Sequence, residues 1–340
     1  MYRELESADH GVALVATVEP DAARAEEAAT KYNIPAFPTV EKLLAVDLKL
    51  DAASVAVPTL HHQAVASELL AAGLDLLIEK PLAASLNEAD ELIAQAEKHG
   101  RIIQAGHLER FNPAVLAVEP KLRRPMFFEA HRLSVFTPRS LDVDVVLDLM
   151  IHDLDIVLTF ARSPVREVRA VGLPIVSPKV DIANVRVEFE SGCVANFTAS
   201  RVSTETVRKL RFFEPRQYVS IDYARRDLLV IGMDASIPPE IAAAIAAHKL
   251  DAAALAKLAT AAAASGGPAP GMSFKKPEVA PGEPLRLELE SFLDAVRTRR
   301  EPRVTARQGR NALALALEIQ ATMADHAQRA GLNDFFKSSL

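Results

Sequence analysis

The tripeptide Glu79-Lys80-Pro81 closes the apolar run Leu74-Asp75-Leu76-Leu77-Ile78, so a carboxylate and an ammonium stand where a strand gives way to a loop. In an open α/β sheet that point is the carboxyl end of a strand, where ligands bind in the crevice. Pro81 fixes its own φ and restricts Lys80 to extended conformations, so the lysine can be aimed. An ordinary solvated strand end would carry the same three residues, and the tripeptide alone leaves both readings open. A second pair stands in the run from Asp144 to Asp155. There Asp148 and His152 are four residues apart and share one face of an expected helix. An imidazole that titrates near neutrality beside a carboxylate suits general acid–base work. The structural alternative is a partly buried histidine paired with a helix carboxylate. His152-Asp153 also admits a metal-dependent phosphohydrolase. That reading needs helical ligand spacing upstream, which His61, His62 and His107 do not provide, so no metal site is expected.

These groups have to be positioned by regular elements. Residues 12 to 105 alternate short apolar runs with amphipathic helical patterns, the sign of βαβ units and a parallel sheet. Strands are expected at Val12–Val18, Ala52–Val57, Leu74–Ile78 and Ile102–Ala105, with a short one near Ile34–Phe37. Helices are expected at about 21–32, 40–46, 61–72 and 86–99. Asp21, Thr39 and Ser85, the last with Glu88 three residues on, are helix-start signals, and Gly73 and Gly100 sit where C-caps belong. Beyond residue 109 a helix around 146–161 is followed by strand-like runs at 165–173, 181–190, 193–200, 206–214, 216–222 and 226–231. Consecutive strands of this kind imply a largely antiparallel sheet. The turn Ser191-Gly192 reads as a hairpin. The expectation is therefore α/β plus α+β: a dinucleotide-binding domain over 1–109, and over 110–340 a domain built on an open, mostly antiparallel sheet. An Ala-rich insertion is expected at 238–270 and closing helices at 284–328. With 39 basic and 45 acidic residues, a net charge of -6 and no basic stripe, nucleic acid is disfavoured as a partner. Cys193 is the only cysteine, so neither a disulfide framework nor a thiolate metal cluster is expected. With neither a signal-like N-terminus nor an apolar run of spanning length, a cytoplasmic protein outside the membrane is expected.

Glu19 ends the first apolar run. An acid at the end of a dinucleotide-binding strand accepts hydrogen bonds from the adenosine ribose hydroxyls and repels a 2′-phosphate, which favours NAD over NADP; a solvated loop Glu is the commoner occupant of such a place. Four ordered segments then carry a resemblance: Pro58-Thr59-Leu60-His61-His62, Glu79-Lys80-Pro81-Leu82-Ala83, Ala105 through Pro113, and Asp148 through His152. In order and spacing the chain resembles the Gfo/Idh/MocA oxidoreductases over nearly its whole length. The resemblance implies an NAD-dependent dehydrogenase acting on a sugar or nucleotide-sugar hydroxyl. It implies that Lys80, Asp148 and His152 line the substrate site beside the nicotinamide, with either Lys80 or His152 as the base. Pro58, Thr59, His62 and Glu79 would lie toward the cofactor, and Arg110 and Asn112 toward the substrate. Arg110 through Pro113, Asp144 through Asp153 and Ala199-Ser200-Arg201-Val202-Ser203 look most like the branch acting on the 3-hydroxyl of UDP-N-acetylglucosamine. Relatives associate through the sheet, which implies a homodimer or homotetramer. One departure stands out. The first strand and the Gly-x-Gly-x-x-Gly turn are absent, and Tyr2-Arg3-Glu4-Leu5 resembles the end of the helix that should follow that turn. The expectation is that Met1 is not the natural start and that two strands keep unpaired edges inside the sheet. The alternative function is a binding protein that keeps the fold with impaired catalysis.

Overall fold

The computed structural model of the protein describes residues 2–7, 11–138, 143–233, 256, 260, 272–332 and 334. Of the Ala-rich insertion expected at 238–270, only Ala256 and Thr260 fall among them. The chain divides into two compact units, Met1–Phe111 with Gly282–Leu317 and Asn112–Pro281 with Glu318–Leu340.

In the first unit, helices α1 (Tyr2–Ser7), α2 (Ala22–Tyr32), α3 (Val40–Leu44), α4 (His62–Ala71) and α5 (Leu86–His99) alternate with strands β1 (Thr17–Val18), β2 (Ala36–Phe37), β3 (Ala52–Val55), β4 (Asp75–Glu79) and β5 (Ile103–Gly106). Asp21 caps α2 by accepting from the Arg24 N–H at 2.9 Å, and Ser85 with Glu88 closes a capping box on α5. Both helices thus begin where their side-chain signals place them. The parallel strands form two sheets, β1-β2 and β3-β4-β5. β1 and β3 therefore each keep one edge without a partner strand among the described residues. The strand expected over Val12–Val18 shrinks to Thr17–Val18 for the same reason, because β1 has a neighbour on one side only. β4 is paired on both sides, and Leu76, Leu77 and Ile78 are buried, as in a parallel strand covered on both faces.

The helix Pro284–Thr298, numbered α8 once α6 and α7 of the second unit are counted, was expected with the second domain and belongs to the first. Its Leu289 and Phe292 complete a buried cluster with Leu5 of α1 and Leu77 of β4. A cut at residue 109 would expose that cluster. At the far end of α8, Arg299 pairs with the buried Asp75, whose other oxygen accepts from the Ile102 N–H at 2.7 Å.

The second unit contains α6 (Pro113–Val118), α7 (Ile151–Ala161) and eight strands: β6 (Phe127–Val135), β7 (Val165–Leu173), β8 (Ile182–Phe189), β9 (Val194–Ser203), β10 (Val207–Glu214), β11 (Gln217–Asp222), β12 (Asp227–Met233) and β13 (Met272–Lys275). Their order is β13-β12-β11-β10-β6-β9-β8-β7, antiparallel throughout except for the β6–β9 pair. Gly192, at φ 82°, makes the β8–β9 turn. The last helix, α9 (Ala306–Arg329), starts in the first unit and ends in the second.

β6 lies at the centre of the sheet, yet sequence patterning did not anticipate it. Its buried positions are Phe128, Ala130 and Arg132, and a charged residue at the third breaks the apolar alternation. Arg132 is tolerated because it forms a fork with Asp153 of α7, at 2.7 Å from Nε to Oδ2 and 3.1 Å from Nη2 to Oδ1. The guanidinium also lies 5.1 Å from the Tyr223 ring centroid. Apolar packing holds the same face, with Phe160 of α7 meeting Phe212 of β10 edge-on at 6.0 Å.

Candidate active site

In the first unit the register aligns the carboxyl ends of three strands, with Val55 beside Ile78, Ile78 beside Ala105 and Glu79 beside Gly106. The loops that follow carry the residues singled out by sequence. Glu79 and Lys80 are half-buried, and the Lys80–Pro81 peptide bond is cis. A Cβ at Gly106 would stand 2.9 Å from the Glu79 Cα and 3.2 Å from its Oε2, so only glycine lets the Glu79 carboxylate lie across this strand end. Burial raises the Glu79 pKa above its ordinary value, and the Lys80 backbone N–H with the charges of Lys80 and His62 opposes that shift.

His62, expected toward the cofactor, is buried, and its ring joins two of these loops. Nδ1 lies 2.9 Å from the Pro81 carbonyl and Nε2 2.9 Å from the Val57 carbonyl. Its place in the geometry is to hold the segment after β3 against the segment carrying Lys80. Pro58 is exposed and Thr59 half-buried beside it. Leu60, between them and His61, is 81% exposed, an apolar side chain displayed at the carboxyl end of the sheet. Glu19 follows β1 and accepts from the Asp21 N–H at 3.0 Å and from Arg24 at 3.1 Å. Arg24 would otherwise attract a phosphate, and the Glu19 carboxylate neutralises it.

In the second unit, Asp148 sits in a π-helical turn, Val146–Met150, and His152 in the first turn of α7. The sequence implied one regular helix. The wider turn is initiated by Asp144, whose Oδ1 accepts from the N–H groups of Val146 at 2.9 Å and Leu147 at 3.1 Å. Such turns recur at functional sites because they re-aim the side chains that follow. Both Asp148 and His152 are half-buried, whereas Asp153 and Asp155 face the interior. Arg110 closes the first unit and is buried. Asn112, expected at the substrate, is buried at the start of α6. Its Oδ1 accepts from Ala114 N–H at 3.1 Å, and its Nδ2 donates to the Tyr223 carbonyl at 3.1 Å. Among the charged and aromatic strand residues of this unit, Arg201 is buried and paired with Asp181, Lys209 pairs with Asp222, and the Tyr218 ring meets Phe213 in a tilted contact.

Sequence reasoning missed Glu288. It falls three residues after Leu285 and four before Phe292, on the core-facing side of α8, and is 1% exposed. A glutamate at a core position of an amphipathic helix was the available signal. No group of three or more His, Cys, Asp or Glu able to hold a metal ion occurs among the described residues.

Comparison with known proteins places these observations in one family. Residues 2–107 match the GFO/IDH/MocA oxidoreductase family with NAD-binding Rossmann fold, and residues 115–217 match the GFO/IDH/MocA C-terminal domain. The chain is 34% identical over 317 residues to a UDP-N-acetylglucosamine 3-dehydrogenase of Acidithiobacillus ferrooxidans, covering 93% of this chain and 91% of that one. A solved structure of that enzyme superposes with a TM-score of 0.77 at 33% identity, over 94% of this chain and 90% of that one. A scyllo-inositol 2-dehydrogenase (NAD(+)) of Bacillus subtilis is 26% identical over 208 residues, 57% of this chain and 61% of that one. The residues present at this strand end fit such a cofactor in chemical type, with an acceptor carboxylate lying across Gly106 and the exposed Leu60 offering an apolar surface. With its parallel strands, its mostly antiparallel second sheet and a match running through both units, the chain belongs to the Gfo/Idh/MocA family of NAD-binding oxidoreductases.

Proposed function

We propose that this protein oxidises a ring hydroxyl of a nucleotide sugar, the 3-hydroxyl of UDP-N-acetylglucosamine being the candidate substrate. The observation that carries the reading is the 34% identity to a UDP-N-acetylglucosamine 3-dehydrogenase across 93% of the chain. NAD, when bound, supplies the acceptor for the hydride that leaves the substrate carbon. Glu79 would hold a ribose hydroxyl, Pro58 and Thr59 would line the same end, and Glu19 would accept the adenosine ribose hydroxyls. Lys80 Nζ or a ring nitrogen of His152 takes the hydroxyl proton, and Asp148 orients the imidazole or the substrate. Arg110 and Asn112 would lie toward the substrate.

The test is NADH formation, followed by absorbance, with UDP-N-acetylglucosamine, free N-acetylglucosamine and inositols as substrates. Oxidation of the nucleotide sugar alone is the expected result, and preferential oxidation of inositol would overturn the substrate assignment. A second reading, a binding protein with impaired catalysis, draws on the separation of β1-β2 from β3-β4-β5. Absence of any NAD-dependent thermal shift in the folded protein would favour it.

The protein acts in the cytoplasm; no helix of the described residues is long and apolar enough to cross a membrane. It associates into a homodimer or homotetramer through the sheet face opposite α7. On that face Phe127, Phe213 and Tyr218 form a continuous row, with centroids 5.4 and 5.1 Å apart, and Phe274 stands 47% exposed. Such an aromatic row suits an interface more than a solvated surface. Sedimentation should report an oligomer that Phe213→Asp dissociates; a wild-type monomer would refute the assembly.

A further inference from the structure

The face of β4 and β5 that carries Leu77, Glu79, Gln104 and Gly106 is covered by α8. Leu289 and Phe292 pack on Leu77, and the Gln104 Nε2 donates to the Glu288 carbonyl at 3.1 Å. Glu288 therefore enters the core beside the carboxyl ends of the strands, on the side to which Glu79 points. It is 1% exposed, and neither carboxyl oxygen has a hydrogen-bond partner among the described residues; the Gln104 Oε1 is an orphan acceptor as well. Among the described residues the charges that act on it, Glu79 and Glu283, are both negative. The titratable groups that act on it are Glu79 from β4, Tyr2 from α1 and Glu283, the N-cap of α8, while Lys80 and His62 act on Glu79. Two carboxylates so placed cannot both be charged at low cost, and the one without donors is the one that stays neutral.

We propose that Glu288 is a positioning residue for Glu79, a carboxylic acid on α8 that by staying neutral keeps the Glu79 carboxylate from being repelled out of its place at the carboxyl end of β4. Glu79 ionises first, because the Lys80 N–H and the Lys80 ammonium favour its charged form. Glu288 then holds the remaining proton against burial and the charge of Glu79, which push its pKa up to about 8. The consequence for NAD rests on the reading of Glu79 as a cofactor contact; the protonation and the coupling do not.

The sign of the linked stability follows. A folded-state value of about 8 above the ordinary 4.5 means that the folded chain holds a proton the unfolded chain has released. The contribution is complete below pH 4.5 and is lost as pH rises toward 8, so the Tm falls across that window.

Infrared titration of the full-length wild type provides a test that needs no variant. A protonated-carboxyl band should persist at neutral pH and disappear near pH 8; its absence at pH 7 overturns the proposal. Glu288→Gln should remove the band and flatten the Tm profile, and a band that survives this change overturns it too. Glu79→Gln, by removing the like charge, should move the midpoint of the band to lower pH; an unmoved midpoint overturns the coupling. NADH affinity, read by fluorescence, should weaken severalfold above pH 8 in wild type and stay flat in Glu288→Gln, whose side chain carries no charge at either pH. Identical pH profiles would overturn the positioning role. If Glu79→Gln shifts the band but leaves NADH affinity unchanged, the reading of Glu79 as a cofactor contact fails while the pairing with Glu288 stands.

Discussion

Lys80→Met is expected to lower turnover by about 10²- to 10⁴-fold while leaving NADH affinity nearly unchanged, the size of effect that loss of a positioned acid–base group has elsewhere. The expectation rests on place as well as residue type. Lys80 follows the last residue of a strand paired on both sides, and the loop behind it is tied to the segment after β3 by both ring nitrogens of the buried His62. A lysine so held gives up little further entropy on binding substrate. His152→Asn should cause a loss of the same order, because His152 opens α7 directly after a π-helical turn that re-aims it. The pH dependence of kcat separates the two roles. The variant lacking the base loses the acid limb of the profile, and the variant lacking an orienting or electrostatic group keeps that limb at a lower plateau. Unchanged turnover in both variants would remove both residues from the chemistry.

The second large effect concerns stability. Asp153→Ala leaves the Arg132 guanidinium, with a side chain 5% exposed, without its counter-charge under the sheet of the second unit. Breaking such a pair costs about 3–5 kcal/mol, because the remaining ion stays desolvated. Urea unfolding should show that loss. The double change of Arg132→Met with Asp153→Leu should recover most of it, since apolar residues of similar volume replace such pairs with little penalty. A loss below about 1 kcal/mol for the single change would mean that water or another group reaches Arg132. Asp153 adjoins His152, so the same pair fixes the turn of α7 from which the imidazole projects.

Most of the fold was legible in the sequence because most of it obeys local rules. The capped helices α2, α3 and α5 begin at their side-chain signals, and the apolar run ending in Glu79 is a strand buried on both faces. Strands β7 to β12 fall within two or three residues of the alternating runs that marked them. The failures have physical causes. β6 was hidden by Arg132, whose inward charge is tolerated only through a partner 21 residues away. β13 is four residues long, and a strand so short is specified by its neighbour β12 more than by its own pattern. α8 changed units because amphipathicity states that a helix has an apolar face and not what that face covers. Asn112 was expected at the substrate, and its amide also caps α6 and donates to the Tyr223 carbonyl, ties that no spacing reveals.

The sequence by itself determined the order of elements, the family and the residue types at the ends of the strands, since each depends on short patterns read along the chain. Only the tertiary structure decided that Gly106 opens the space in which Glu79 lies, that His62 ties two loops together, and that the acid on α8 reaches the same face as Glu79. Those relations join residues tens to hundreds of positions apart. They are set by strand register and helix packing, which bring side chains together at distances that local sequence does not encode.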